Sequence, residues 1–103
     1  MSKIALIAKL TAQEGKADEF EAALATMVTT SEEETGLEIY SVHRVDDQPG
    51  VYYFFELYTD GDALAVHGKG DGMKAAMGAV GGLLAGAPEI IKATPVVAKG
   101  LTL

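Results

Sequence analysis

The chain has 103 residues, which accommodates one domain and lies near the lower limit for burying a core without help. Fifteen acidic and eight basic side chains give a net charge of −7, and Arg44 is the single arginine. Because nucleic acids and anionic membranes are bound through clustered cations, both are poor partners for this chain. The absence of cysteine excludes disulfides, a thiolate nucleophile and cysteine-based metal sites.

The N-terminus and the apolar segments argue against export and membrane insertion. Lys3 and Lys9 interrupt the first apolar stretch, which therefore lacks the unbroken centre of a signal peptide. No apolar run approaches the ~20 residues that a helix needs to cross a bilayer. We expect a cytoplasmic protein with no membrane partner.

The first half of the chain predicts a strand, a helix and a second strand. Residues 3–10 alternate between two faces, as a half-buried strand does. Gly15 and Asp18 open a helix that extends to about Thr35, and Gly36 supplies its C-terminal stop. The apolar stripe of this helix comprises Phe20, Leu24, Met27 and Val28.

The second half predicts a hairpin, two helices and a last strand. Residues 37–45 and 51–58 alternate around a turn at 46–50. Thr59 to Asp62 fits a capping box before a short helix over 62–67, a second helix covers about 71–85, and residues 93–99 form the last strand. The order βαββααβ over a single domain, 1–103, predicts a ferredoxin-like α+β fold with a four-stranded antiparallel sheet. Helices cover one sheet face only, so we expect a homodimer in which a second sheet covers the other.

Three side chains on these elements could carry chemistry. His67 ends the short helix, and histidine side chains titrate near pH ~6.5, which suits proton exchange; a capping or packing role is the alternative. Glu56 shares a strand face with Tyr52, Phe54 and Tyr58, where it could be a pocket carboxylate that orients His67 or a substrate hydroxyl, or could form a structural ion pair. Glu34 ends a run of three glutamates, and we expect it to bind backbone amides of the next turn. The second histidine, His43, is expected at the surface or at an interface.

The spacing of these residues resembles the antibiotic biosynthesis monooxygenase (ABM) family. Glu34-Thr-Gly-Leu-Glu-Ile-Tyr40 resembles the family's Glu-Pro-Gly-Cys-x-x-Tyr, and Phe54-Phe-Glu56-Leu-Tyr58 resembles its third strand, with tyrosine for tryptophan. Ala65-Val-His67 stands where members have Ala-His. The resemblance implies a dimeric α+β barrel in which Glu34 and Gly36 are structural motif residues.

The resemblance also implies an activity. ABM members oxidise quinols or polyphenols with O₂ and use neither metal nor flavin, so we expect a monooxygenase without cofactor that acts on a small phenolic or quinol ligand. His67 and Glu56 are its candidate catalytic residues. The candidate substrate-binding residues are Tyr40, Tyr58, Phe54, Met73 and Met77.

Other interpretations stay open beside this one. Many quinol-oxidising members have a second histidine where this chain has Gly72, and Ala8, His67 and Met77 at the positions used by haem-degrading relatives argue against haem degradation. The Gly70-x-Gly72-x-x-Ala75 fingerprint follows a helix instead of a strand, so no dinucleotide site is predicted. An isomerase acting on a small carbonyl signal molecule and a non-catalytic small-molecule-binding dimer are the alternatives.

Overall fold

The computed structural model describes residues 3–67 and 69–103, which form one antiparallel sheet and three helices. The elements are β1 (Ile4–Thr11), α1 (Ala17–Thr30), β2 (Leu37–Arg44), β3 (Val51–Tyr58), α2 (Gly61–Val66), α3 (Asp71–Gly81) and β4 (Glu89–Ala93). The sheet order is β2-β3-β1-β4, so the two central strands are β3 and β1. This is the ferredoxin-like α+β fold that the pattern predicts.

The core lies between the sheet and the helices α1 and α3. On the helix side of the sheet, Ala8 lies opposite Phe54 and Leu10 opposite Tyr52. Phe20 of α1 is fully buried and its ring packs 5.2 Å from that of Tyr52. Burying one such side chain stabilises the fold by about 1.5–3 kcal/mol. Other buried core residues are Leu24, Met27, Met73, Ala76 and Val80.

The opposite sheet face is largely apolar and partly open, with Lys9 and His43 on either side of Tyr53. Ile7 lies across from Phe55 on one side and Ile91 on the other, so these three side chains share that face. Ile7 is 37% exposed, Ile91 61% and Tyr53 40%. Part of this sheet face is therefore both apolar and exposed, as the sequence pattern predicts.

Helix α1 ends a turn earlier than the pattern predicts, at Thr30 instead of about Thr35. The hydroxyl of Ser31 donates to the Met27 carbonyl at 2.9 Å, and the Glu34 N–H donates to the Ser31 carbonyl at 3.0 Å. The chain thus leaves the helix before the three glutamates, whose charges would oppose the helix dipole.

Gly36 does not cap α1, contrary to prediction. Its φ is not among the positive values, so it does not supply the left-handed turn of a C-terminal stop. A Cβ built on Gly36 would instead come closer than 3.0 Å to the Cβ of Ala63 in α2. Glycine is required here because β2 and α2 approach each other closely.

Two helix boundaries in the second half also differ from prediction. Asp60, and not Thr59, caps α2 by accepting from the Ala63 N–H at 2.9 Å. Helix α3 ends at Gly81, where two successive glycines weaken helix propensity, instead of continuing to about 85.

The last strand lies at Glu89–Ala93 instead of 93–99. Pro95 cannot donate a ladder hydrogen bond, and Val96 and Val97 are exposed. In the described part of the chain no helix combines the length and apolar character required to cross a membrane.

Candidate functional site

Strands β2 and β3 and helix α2 bring four predicted site residues together. Tyr40 lies opposite Glu56 in the β2–β3 register, and Tyr58 follows Glu56 on the same sheet face. Only two residues separate β3 from α2, and His67 is the C-terminal cap of that helix. The short connection and the Asp60 cap therefore turn the chain back towards the sheet, and the His67 imidazole lies beside Tyr40, Glu56 and Tyr58.

His67 lies between two carboxylates. Its Nδ1 is 2.9 Å from Glu34 Oε1, which is hydrogen-bonding distance, and its Nε2 is 3.8 Å from Glu56 Oε1, which is not. The Tyr58 hydroxyl donates to Glu56 Oε1 at 2.5 Å. The rings of Tyr40 and Tyr58 present edge-on contacts to the imidazole, with centroid distances of 5.3 and 5.6 Å. We call these five residues the His67 cluster.

Burial controls the protonation of the cluster. It raises the pKa of Glu56, and the hydrogen bond from Tyr58 and the proximity of His67 oppose that rise. Burial is also the main reason that the pKa values of Tyr40 and Tyr58 are raised, and neighbouring carboxylates add to the effect. Both tyrosines therefore stay protonated near neutral pH, so neither is the base of the cluster.

Two cavities border the His67 cluster. The first, of about 650 Å³, lies between α1 and β2 and has Tyr40 in its wall. The second, of about 630 Å³, is lined by Glu34, Gly36 and Val66 together with the start of α3. Tyr40 and Glu34 are thus the cluster members that face open space, whereas Glu56 and Tyr58 are buried behind them.

Comparison with known proteins places this arrangement in a family. The profile of the antibiotic biosynthesis monooxygenases matches residues 3–79. The chain belongs to the ABM family. No curated protein matches it.

Solved structures agree with the ABM assignment. A candidate antibiotic biosynthesis monooxygenase from Caulobacter crescentus CB15 is 37% identical, with a TM-score of 0.88 over 93% of this chain and 92% of that one. Rv0793 from Mycobacterium tuberculosis is 25% identical, with a TM-score of 0.84 over 94% and 98% of the two chains. A candidate ABM protein from Chloroflexus aurantiacus shares the fold at 22% identity, with a TM-score of 0.84 over 98% and 100%.

The remaining candidate site residues occupy different surroundings. Phe54 lies in the core, 6.0 Å from the Tyr40 ring, and Met73 is buried beside the second cavity. Met77 is 50% exposed and lines neither cavity. The Glu34 side chain contacts His67, whereas we expected it to bind turn amides. Gly72, which replaces a second histidine, lines the second cavity.

A charged group at the far end of the first cavity was not predicted. Arg44 donates from Nε and Nη2 to the Glu21 carboxylate at 2.9 and 2.6 Å, and the Tyr52 hydroxyl donates to the same carboxylate at 2.6 Å. These bonds lower the pKa of Glu21 to about 2. Glu21 and Arg44 belong to different elements and carry no shared motif, so the sequence contains no signal that pairs them.

The cluster does not resemble a metal centre. Among residues 3–67 and 69–103, no group of three or more histidines and carboxylates has a geometry that could hold a metal ion. What the site does offer is an imidazole fixed by a carboxylate, a buried Glu56–Tyr58 pair and aromatic walls. These groups can bind an aromatic ring and move a proton.

Proposed function

We propose that this ABM protein is a cofactor-independent monooxygenase that oxidises a small phenolic or quinol substrate with O₂. One observation carries the proposal: in an ABM chain, His67 lies beside Glu34 and Glu56, next to Tyr40, which forms the wall of a cavity large enough for an aromatic ligand. His67 is the base, Glu56 is the buried carboxylate beside it, and Tyr40 contacts the substrate.

The chemistry requires a proton acceptor and a dry site. Ground-state O₂ is a triplet and reacts slowly with closed-shell organic molecules, but an electron-rich phenolate can reduce it. His67 removes the phenolic proton, the ring carbanion and O₂ form a C–O bond, and the resulting hydroperoxide loses water to leave a carbonyl. For a quinol, one oxygen atom enters the ring and the other leaves as water, so that quinol and O₂ give hydroxyquinone and water.

O₂ uptake with a panel of quinols and naphthols tests the proposal. With a substrate that is consumed, His67→Ala should reduce turnover by ~10²–10⁴-fold, the usual contribution of a positioned acid–base group. His43→Ala is the matched control, because His43 is exposed and its ring, among the described residues, bonds to Ser41 alone, at 2.9 Å. Since His43 lies opposite Tyr53 on the open sheet face, light scattering on this variant checks that its oligomeric state is unchanged. Undiminished turnover in His67→Ala, at an unchanged melting temperature, would exclude this histidine as the base.

We also propose that the protein works as a homodimer through its open sheet face. Ile7 and Tyr53 on the central strands and Ile91 on the edge strand β4 expose apolar surface on one sheet face, which a second copy of the same face would cover. Light scattering at micromolar concentration should give twice the chain mass of 10.7 kDa. Tyr53→Lys should shift the mass towards that of the monomer, and a wild-type monomer would refute the proposal.

A non-catalytic ligand-binding dimer is the second candidate. It is favoured by the burial of Glu56 and Tyr58, which leaves Tyr40 as the one cluster member among the residues that line the first cavity. This candidate predicts that a small aromatic molecule copurifies with the protein or binds to it while no O₂ is consumed. Mass spectrometry of the purified protein and the uptake assay together separate the two functions.

A further inference from the structure

The contact between Glu34 and His67 joins two segments that are far apart in the chain. Their side chains are only 19% and 14% exposed, and Nδ1 lies 2.9 Å from Oε1. Helix α2 holds the backbone of His67, because the main-chain N–H of His67 donates to the Ala63 carbonyl at 3.2 Å. The contact therefore links the turn before β2 to the helix after β3.

The backbone of Glu34 is held at both ends. Its N–H donates to the Ser31 carbonyl at 3.0 Å, and its carbonyl accepts from the Leu37 N–H at 3.1 Å. The carboxylate thus extends from a turn closed by two hydrogen bonds, and its position does not depend on a free loop. A side chain presented this way can fix the orientation of a neighbouring ring.

The direction of the hydrogen bond determines which ring nitrogen is free. An ionised carboxylate only accepts, so Nδ1 must carry the proton in the Glu34 contact. In a neutral imidazole the other nitrogen, Nε2, then has a lone pair. The 3.8 Å from Nε2 to Glu56 Oε1 is too long for a hydrogen bond, so that carboxylate does not occupy the lone pair.

We propose that Glu34 is the positioning residue of the site, which keeps His67 in the Nδ1–H tautomer with Nε2 ready to accept a proton. The inference rests on the proposed function, because it assigns a role to the base of that reaction. It transfers to Glu34 the orienting role that the sequence suggested for Glu56. The same logic governs other carboxylate–histidine pairs, in which the carboxylate sets the tautomer without taking the proton.

The ring tautomer can be measured without any substrate. Long-range ¹H–¹⁵N correlation spectra distinguish protonated from unprotonated ring nitrogens, and the chain has only two histidines to assign. In spectra of the neutral ring, His67 should carry its proton on Nδ1. Glu34→Ala should move the proton at least partly to Nε2, whereas Glu34→Gln should keep it on Nδ1, because the amide oxygen still accepts.

Turnover provides the second readout. Glu34→Ala should lower kcat by about 10–100-fold, as removal of a histidine-orienting carboxylate does, with most activity restored in Glu34→Gln. Glu32→Ala is the matched control, since Glu32 is exposed, belongs to the same run of glutamates as Glu34 and lines neither cavity. A melting temperature for each variant separates loss of fold from loss of orientation.

The outcomes separate the two proposals. A proton on Nε2 in the wild-type protein, or on Nδ1 in Glu34→Ala, would overturn the role of Glu34 even if quinols are oxidised. If no quinol is consumed while the tautomer responds to Glu34 as expected, the proposed oxidation fails and the positioning of His67 by Glu34 is supported.

Discussion

Gly36→Ala is the substitution that should couple fold and site most directly. Gly36 precedes β2, two residues after Glu34, and its missing side chain leaves the space that Ala63 of α2 occupies. The new methyl group would come closer than 3.0 Å to the Ala63 Cβ and within 3.4 Å of its Cα. Both neighbours are rigid, since one is a backbone atom and the other is attached to it.

The size of the effect follows from the required displacement. Carbon atoms pack at about 3.5–4.0 Å, so α2 must move away from β2 by roughly 0.5–1 Å or more. Overpacking of this kind costs about 1–3 kcal/mol, whereas replacing glycine by alanine at an ordinary φ returns about 0.4–1 kcal/mol. The difference between the two ranges is roughly 0–2.5 kcal/mol, and because the contact is closer than 3.0 Å we expect a net loss in the upper half of that range.

A displacement of α2 also moves His67, which caps that helix. The 2.9 Å bond to Glu34 has little tolerance for a shift of that size. Gly36→Ala should therefore lower turnover, and disturb the His67 tautomer, more than its stability loss alone explains. Thermal unfolding reports the stability loss, at about 4–8 °C for each kcal/mol in a domain of this size.

A double-mutant cycle with Ala63→Gly tests the cause. Ala63→Gly alone should cost about 1 kcal/mol of helix propensity. If the clash is the mechanism, the double variant should be more stable than the sum of the single changes predicts, by roughly 0.5–3 kcal/mol. Additive effects would refute the steric reasoning, and so would a Gly36→Ala variant as stable as the wild-type protein.

Two further predictions follow from burial and charge. Because burial raises the pKa of Glu56, its ionisation destabilises the fold as pH rises from 4.5 through the folded-state pKa. Glu56→Gln should therefore be more stable than the wild-type protein at pH ~8 and lose that advantage by pH ~4. Urea unfolding of both proteins at the two pH values measures the difference. An equal difference at both pH values would contradict this. Arg44→Met should raise the pKa of Glu21 from about 2 towards 4.5 in an NMR titration, and an unchanged value would mean that the Tyr52 hydroxyl alone maintains it.

The sheet was predictable because its signals are local. Alternation along residues 3–10, 37–45 and 51–58 identified three of the four strands to within a residue or so, and the same alternation correctly put Glu56 on the face of Tyr52, Phe54 and Tyr58. The last strand was misplaced because Val96 and Val97 have strong strand propensity, whereas pairing with β1 selects Ile90 and Ile91. Strand propensity alone does not indicate whether the segment around residues 90–91 or that around residues 96–97 pairs with β1.

The end of α1 shows the same limit at a helix boundary. Nothing in the residues around Glu32 to Glu34 breaks a helix outright, and Gly36 resembles an ordinary stop signal. What ends the helix at Thr30 is a set of turn hydrogen bonds around Ser31, and what requires glycine at position 36 is contact with Ala63. The Ala63 contact joins residues far apart in the chain, whereas the hydrogen bonds around Ser31 are local. The cytoplasmic location and the homodimer stay predictions.

The proximity of four candidate residues was predictable, whereas the hydrogen bonds among them and the contact of Glu34 with His67 were not. The ABM resemblance and strand alternation correctly grouped His67, Glu56, Tyr40 and Tyr58, whose mutual contacts are now explicit. They did not distinguish which carboxylate holds the imidazole, because Glu34 and Glu56 were both available and spacing contains no distances.

Only the early end of α1 brings Glu34 within 2.9 Å of His67. The same residue that would be an unfavourable charge at a helix terminus thereby becomes the partner of the histidine. If residues 31–34 were forced to remain helical, Glu34 would leave His67, and the imidazole would lose the contact that sets its tautomer. Replacing Ser31 with alanine removes the hydroxyl bond to Met27 and should therefore loosen this turn, with partial movement of the His67 proton to Nε2 as the measurable consequence. A His67 tautomer as uniform in Ser31→Ala as in the wild-type protein would show that the turn is held by its backbone hydrogen bonds alone.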